Sequence, residues 1–273
     1  MLWEELTAGE FVRACKESQN TCLLPLGVIE KHGGHLPLGT DMFSARWLAE
    51  ETAKIEPVVV FPYYMFGQIA EADHCPGTIA LKPELMIALL EEICGIISRN
   101  GLKKIVILDC HGGNVYFLKY FVQSLLYAKR DYVVYVVRPS FDERTRQTLV
   151  EMFDGGAFGE HAGNTETSGI LHIHNDLVKP QQMEPEGALS WNRLEELHQD
   201  AFTPMFWYAN HPTHQAGDPS RASAEAGETM HDAQIQYIAK ILKAIKDDTV
   251  TAHLVNEFYE KAAGKGLTGI YRS

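Results

Sequence analysis

A short segment rich in histidine and carboxylate side chains follows the first apolar run of the sequence. Between Gly27 and Asp41 it also holds Glu30, His32 and His35. Glu30 and His32 are two residues apart, so in an extended segment both side chains point to the same side. Imidazole nitrogen and carboxylate oxygen are ligands that zinc, manganese and iron accept. The segment therefore predicts a metal site, in which Asp41 either bridges two cations or only caps the helix that follows.

A second candidate ligand, His111, lies just after the most apolar run of the chain, residues 104–108. It is followed by Gly112 and Gly113, which would let the backbone turn sharply and approach a ligand closely. We interpret His111 as a metal ligand and the two glycines as part of the substrate site. The alternative is a histidine that only satisfies its own polar atoms at a strand end. Asn114 is typical of a helix N-cap.

A third group of ionisable residues comes before and within a helix predicted over residues 163–175. Glu166 falls in its first turn, where it is either a metal ligand or an ordinary favourable charge at a helix N-terminus. His161 precedes the helix, and an imidazole titrates near neutral pH, so it is a candidate general acid or base. Glu160 competes with His161 for that role.

A Pro-Gly turn in the segment 73–79 is predicted to form part of the pocket wall. Its Gly77 and Thr78 would present backbone groups toward a ligand.

The remaining histidines are interpreted as structural or surface residues. His172 and His174 lie near the end of the 163–175 helix, where a cation is favourable. His198, His231 and His253 are isolated in the sequence and are predicted to be exposed.

The apolar runs alternate with amphipathic segments, which predicts an α/β fold with a parallel sheet covered by helices on both faces. Strands are predicted over 22–26, 58–61, 104–108 and 132–137, and the main helices over 41–55, 83–97, 114–128, 163–175, 222–246 and 251–261. Ligands of such sheets bind outside the carboxyl ends of the strands. The loops 28–41 and 109–114 both lie there, so their side chains are expected to meet.

Composition limits the classes of partner and compartment. The 273 residues suit one domain spanning 1–273, and the formal net charge of −12 disfavours nucleic acid. Five dispersed cysteines without a CxxC pair argue for a reducing compartment. No signal peptide or membrane span is expected, so the predicted location is cytoplasmic.

Together these motifs resemble the creatininase (creatinine amidohydrolase) family. The resemblance rests on segment 25–41 and is supported by Pro76-Gly77-Thr78, His111-Gly112-Gly113-Asn114, His161-Ala162-Gly163, Glu166-Thr167-Ser168, Gly217-Asp218-Pro219 and Ala222-Ser223-Ala224-Glu225. The segments occur in the family's order over about residues 20 to 228.

The resemblance implies a three-layer αβα sandwich and a site with two divalent metal ions, zinc, manganese or iron, that activates water against a C–N bond. The matching positions would make Glu30, His32, Asp41, His111 and Glu166 the metal ligands. They would place His161 near the substrate as a proton carrier. A homo-oligomer, plausibly a hexamer, is also implied.

The sequence departs from this family's pattern directly after His111. Creatininases that act on creatinine have a Tyr and a Glu there, whereas this chain has Gly112 and Gly113. The predicted substrate is therefore a small amide, cyclic amide or formamide other than creatinine. The alternatives are a two-metal hydrolase of another bond and a non-catalytic metal-binding scaffold.

Overall fold

The protein is described by a computed structural model over residues 1–156, 160–197 and 200–265. His198, which the sequence predicts to be exposed, lies outside these residues.

The centre of the fold is a parallel sheet, as the sequence predicts. Its strands are β1 (Thr21–Leu26), β2 (Val59–Val60), β3 (Lys104–Asp109) and β4 (Val133–Val137), in the spatial order β2-β1-β3-β4. Neighbouring strands pair in parallel throughout, with Leu26 of β1 opposite Asp109 of β3. The predicted bounds agree with these strands to within one residue at each end.

Side chains of the strands alternate between two apolar cores because a strand has a period of two. From β1, Cys22 and Leu24 point into one core and Leu23 points into the other. The first core is completed by helices α1 (Ala8–Glu17), α3 (Pro83–Arg99) and α4 (Asn114–Ser124), and the second by α2 (Thr40–Ile55) and α8 (Ala224–Asp247). The result is the expected three-layer αβα sandwich.

Two further predicted helices follow in the chain: α6 (Asn164–His174) packs on α2 and α8, and α9 (Val250–Glu260) comes after α8. Helices α5 (Glu143–Met152) and α7 (Phe206–Asn210) were not predicted. Helix α5 packs Leu149 against Met230 of α8. Because α7 has a single turn, its sequence carries too few residues to show a helical period.

Local signals at helix ends had mixed outcomes. Thr7 caps α1, with Glu10 completing the reciprocal capping box. The N-cap role predicted for Asn114 is wrong, because α4 begins at this residue and Gly113 precedes it. The Asn114 side chain instead accepts a hydrogen bond from the Gln68 backbone N–H and donates one to Asp109. It therefore joins two loops at the end of the sheet.

The described residues contain no disulfide, and all five cysteines are free thiols. A search of the same residues found no helix with the length and apolar character needed to cross a bilayer.

Candidate metal centre

The loop after β1 and the start of α2 are held together by a close backbone approach. A Cβ atom on Gly27 would lie 2.3 Å from the Met42 backbone nitrogen and 2.5 Å from the Asp41 carbonyl oxygen. Only glycine fits at such a contact. The approach brings Asp41, the second residue of α2, next to Glu30 and His32.

The five side chains implied as metal ligands converge at one point. Nε2 of His32 lies 3.2 Å from Oδ1 of Asp41 and 3.7 Å from Oε2 of Glu166. Nδ1 of His111 lies 2.8 Å from Oδ2 of Asp41 and 3.0 Å from Oε1 of Glu30. Residues that are far apart in the chain therefore form a single cluster.

Most of this cluster is withdrawn from solvent. Glu30 is 1% exposed, His32 is fully buried, Asp41 is 3% exposed and His111 is 4% exposed. Glu166 is partly exposed and lines the cavity that reaches the cluster. Burying so many ionisable groups is costly unless their charges compensate one another.

The turn that carries His111 is fixed by the preceding strand. Asp109, at the end of β3, accepts hydrogen bonds from the His111 backbone N–H and from Nδ2 of Asn114. Burial raises the pKa of the Asp109 carboxyl, although both hydrogen bonds and Arg138 favour its ionised form. Asp109 thus orients the turn and is not itself part of the ligand cluster.

Glu166 is oriented by the turn before α6. Its Oε2 accepts a hydrogen bond of 2.7 Å from the Ala162 backbone N–H. Ala162 has a φ of 57°, a left-handed conformation that turns its amide toward the helix. Burial raises the pKa of Glu166 to about 7, with Asp41 adding to the effect and His32 opposing it.

The tautomers of the three imidazoles at the site follow from their hydrogen bonds. Nδ1 of His32 faces the Glu30 carbonyl, Nε2 of His111 the Gln68 carbonyl and Nε2 of His161 the Lys31 carbonyl. A carbonyl only accepts, so each of these nitrogens carries a proton. The other nitrogen of each neutral ring then directs its lone pair toward a carboxylate, which is repulsive unless a positive charge lies between them.

The pKa values of the histidines also show that the cluster favours positive charge. Burial opposes protonation of His32, but Asp41, Glu166 and Glu30 together raise its pKa to about 10. The pKa of His111 is likewise raised well above its usual range, by Asp41 and Glu30 against the effect of burial. Without a metal cation, the cluster would retain protons in its place.

The ligand atoms fall into two groups that share Asp41. One is Glu30, Asp41 and His111, and the other is His32, Asp41 and Glu166, with the atoms of each group within 4.8 Å of one another. A third possible group combines Glu30 and His32 with His161. A shared carboxylate with its two oxygens facing different histidines is suited to bridging two cations.

His214 is a residue at the site that the sequence analysis missed. Its Nε2 lies 2.6 Å from Oε2 of Glu30, and Nε1 of Trp207 lies 2.8 Å from its Nδ1. An indole N–H only donates, so Nδ1 of His214 accepts and Nε2 carries the proton toward Glu30. His214 therefore orients Glu30 and leaves Oε1, which is buried without a hydrogen-bond partner, directed at the cluster.

The only sequence signal for His214 was a histidine-containing loop before Gly217-Asp218-Pro219. No apolar strand precedes it, so nothing in its pattern points to the carboxyl ends of the sheet. The residue also has a φ of 57°, which sequence alone does not reveal for a histidine.

Both candidate proton carriers border a cavity of about 710 Å³ beside the cluster. Nδ1 of His161 lies 3.9 Å from Oε2 of Glu166. Burial, with the neighbouring His32, lowers the pKa of His161 to about 3, so this imidazole is neutral at rest. Glu160 is more exposed, and its pKa is raised by burial and by Asp218.

The four residues predicted to contact substrate divide into two pairs. Gly112 and Gly113 line the cavity. Gly77 and Thr78 shape the 70–79 loop instead: Gly77 has a φ of 85° and packs against Leu38, and the Thr78 hydroxyl donates to the Ala72 carbonyl. Within the described part of the chain, neither belongs to the cavity lining.

Two histidines have environments that their sequence neighbours did not indicate. His35, close to His32 in sequence, lies outside the cluster and hydrogen-bonds Thr167 at 2.9 Å. The prediction that His231 is exposed is wrong: it is 1% exposed, packs on Trp47 and contacts His172. Its helix, α8, buries the face that carries it, whereas His253 is exposed as predicted.

Comparison with known proteins gives a consistent result. The family model of creatininase, described as creatinine amidohydrolase, matches residues 4–242. The creatinine amidohydrolase of Pseudomonas putida is 24% identical over 260 residues, covering 88% of this chain and 95% of that protein. A mycofactocin precursor peptide peptidase of Mycolicibacterium smegmatis is 32% identical over 167 residues, covering 59% and 61%. The zinc–zinc form of a variant creatininase has a TM-score of 0.74 at 22% identity, covering 90% and 98%.

Proposed function

We propose that this chain, which belongs to the creatininase family, is a metal-dependent amidohydrolase that cleaves a C–N bond of a small amide, cyclic amide or formamide. The observation that carries the proposal is the arrangement of imidazole lone pairs. His32 and His111 are each fixed by a main-chain carbonyl and direct the free nitrogen at buried carboxylates.

The donor set fits two divalent cations. Glu30, Asp41 and His111 would hold one, and His32, Asp41 and Glu166 would hold the other. Oxygen and nitrogen donors of this kind suit zinc, manganese or iron. Such cations, when bound, supply Lewis acidity that activates water and polarises a carbonyl at neutral pH.

Side chains of the protein would transfer the proton from water to the leaving group. His161 is neutral, and its Nδ1 faces the cavity side of Glu166. Nδ1 would take a proton from the attacking water and pass it to the leaving nitrogen. Because burial disfavours the protonated ring, the proton would stay on His161 only transiently before the leaving nitrogen takes it. Glu160 is the second candidate for this transfer.

The residues that line the cavity also limit the kind of bond that the protein could cleave. No lysine or arginine lines it among the described residues, whereas Glu30, Glu160 and Glu166 do. No lysine or arginine in this described lining is therefore available to bind a phosphate group beside the metal ligands, which disfavours a phosphoester substrate. The absence of side chains at Gly112 and Gly113 supports a substrate other than creatinine.

The proposal is tested by elemental analysis of the purified protein, followed by a substrate screen. We expect about two equivalents of zinc, manganese or iron per chain, and hydrolysis of formamides or cyclic amides that is lost on chelation and restored by the metal. The screen should include creatinine, short peptides and a chromogenic phosphoester as comparisons.

Three results would contradict the proposal in different ways. A protein that retains no metal at neutral pH would remove its basis. Tight binding of metal with no turnover of any amide would favour a non-catalytic scaffold instead, and turnover of the phosphoester alone would favour another hydrolase.

A further inference from the structure

A second cavity, of about 790 Å³, adjoins the one that contains the candidate metal ligands. The two share Glu71, Gly112, Gly113 and Trp207 in their linings. The two cavities are therefore neighbours, and a substrate that reaches outward past the two glycines would enter the outer one.

Neither glycine places a side chain between the two cavities. A Cβ atom on Gly112 would meet nothing within 4 Å. A Cβ atom on Gly113 would lie 2.6 Å from Nε2 of His111, 2.8 Å from the Gln68 carbonyl oxygen and 3.0 Å from Oε1 of Glu71. A side chain at position 113 is thus excluded, and the carboxylate of Glu71 borders the space beside it.

Glu71 is held in this place by its own short turn. It lies in a single 3₁₀ turn, Ala70–Ala72, and its Oε2 accepts a hydrogen bond of 2.6 Å from Nε2 of Gln68. Oε1 makes no hydrogen bond to any residue in the described ranges and lies on the side of the cavities. One oxygen is therefore used for orientation and the other is free for a ligand.

The outer cavity contains several aromatic side chains. Its lining includes Tyr116, Phe202, Phe206, Trp207 and Tyr208. Tyr116 is 79% exposed and Phe202 is 83% exposed, so the rings at its mouth are largely uncovered. Large exposed aromatic surfaces in a concave site favour binding of a flat apolar group.

The charge of the outer cavity points to a cation. Its described lining contains Glu71 but no lysine or arginine. Outside that lining, the Arg193 guanidinium lies 5.1 Å from the centroid of the Tyr208 ring, so a second cation is expected beside Glu71 and not at Tyr208. A carboxylate beside several ring faces is complementary to a protonated nitrogen attached to an aromatic group.

We propose that Glu71 and the aromatic side chains of the outer cavity form a second subsite that binds an aromatic ring bearing a protonated nitrogen. In the reaction this group would be the distal part of the amide substrate, an identification that rests on the proposed function. The binding itself does not depend on hydrolysis.

The test uses the purified full chain and three probes without an amide: benzylamine, benzyl alcohol and n-butylamine. Isothermal titration calorimetry at neutral pH should give the tightest binding for benzylamine, by about tenfold over benzyl alcohol, because a charge-assisted hydrogen bond is lost in the alcohol. n-Butylamine keeps the charge, so its weaker binding would measure the contribution of the ring.

Matched variants assign each contribution. Glu71→Gln should remove the preference for benzylamine over benzyl alcohol, whereas Asp73→Asn, the same charge change two residues away on an exposed side chain, should preserve it. Phe202→Ala should reduce the ring's contribution, whereas Tyr127→Ala, at a fully exposed tyrosine outside both cavities, should not. The comparison of probes on the unchanged chain stands even if a variant fails to fold.

Three outcomes would overturn the proposal. Equal affinity for the three probes would mean that no such subsite exists. An equal loss in Glu71→Gln and Asp73→Asn would reduce the effect to the general negative field. If Phe202→Ala left binding unchanged but lowered the molar mass measured by light scattering, the aromatic surface would belong to a contact with a second copy of the chain. Because no probe contains an amide, these results are independent of whether the protein hydrolyses one.

Discussion

Two groups of histidines lie near opposite ends of helix α6 and differ in what surrounds them. At its N-terminal end, His32 and His111 face the carboxylates of Glu30, Asp41 and Glu166. Toward its C-terminal end, His172 and His231 contact each other at 3.0 Å between their Nδ1 atoms and pack on Trp47. Among the described residues, neither of this second pair has a carboxylate within ion-pair distance.

The difference decides the charge state that each group can hold. Carboxylates outweigh burial at His32 and raise its pKa to about 10. At His231 burial acts without such a partner, and together with His172 it lowers the pKa to about 3. The carboxylates of the first group favour positive charge at His32, whereas the surroundings of His231 disfavour it. The neighbours of a histidine, more than its burial, decide whether it can take part in a cation site.

The largest expected effect comes from removing a carboxylate of the first group. Asp41→Asn should abolish metal retention and lower kcat/KM by at least about a thousandfold, because both proposed cation positions lose the same ligand. Metal content by elemental analysis and amide hydrolysis should fall together. His231→Gln changes the second group and should leave the metal content unchanged. An Asp41→Asn protein that kept both metal and turnover would show that Asp41 does not bridge.

His161 combines features of both groups. It lies beside the carboxylates of the first group, yet its pKa is lowered to about 3, like that of His231 in the second. If it carries a proton, His161→Asn should lower kcat by about 10²–10⁴-fold with the metal content unchanged. Glu160→Gln should cost much less, since Glu160 is the more exposed of the two. Steady-state kinetics of metal-restored samples would measure both.

The opposite ranking of these two variants would assign the proton transfer to Glu160. Loss of metal in His161→Asn would instead make His161 a ligand, in the third group that it forms with Glu30 and His32.

The features that the sequence predicted well are those with strong local patterns. Continuous apolar runs predicted the strands. The rule that ligands bind beyond the carboxyl ends of parallel strands predicted that His111 lies close to Glu30 and His32. Glu166, whose pattern alone was ambiguous between a ligand and a helix charge, was singled out by its match to the family and lies 3.7 Å from His32.

The features that the sequence did not predict depend on contacts between distant segments. His214 reaches Glu30 from a loop 184 residues away, through a backbone conformation unusual for histidine. His231 was wrongly predicted to be exposed, because an isolated histidine in a helix gives no sign of which face is buried. The orientation of α8 on α6 decides that, and it depends on tertiary packing.

The second group gives the smallest expected effect, on stability at acid pH. His231 has a pKa of about 3 when folded and 6.5 when unfolded, so between these values the unfolded chain binds a proton that the folded chain does not. Its contribution to stability is complete above pH 6.5 and declines as the pH falls, by about 2–3 kcal/mol at pH 4.5. Denaturant unfolding with a chelator present should therefore show a shallower acid loss in His231→Gln than in the unchanged chain. His253→Gln, at an exposed histidine, is the matched control. Parallel pH curves for all three proteins would mean that His231 does not resist protonation, and the contrast between the two groups would fail.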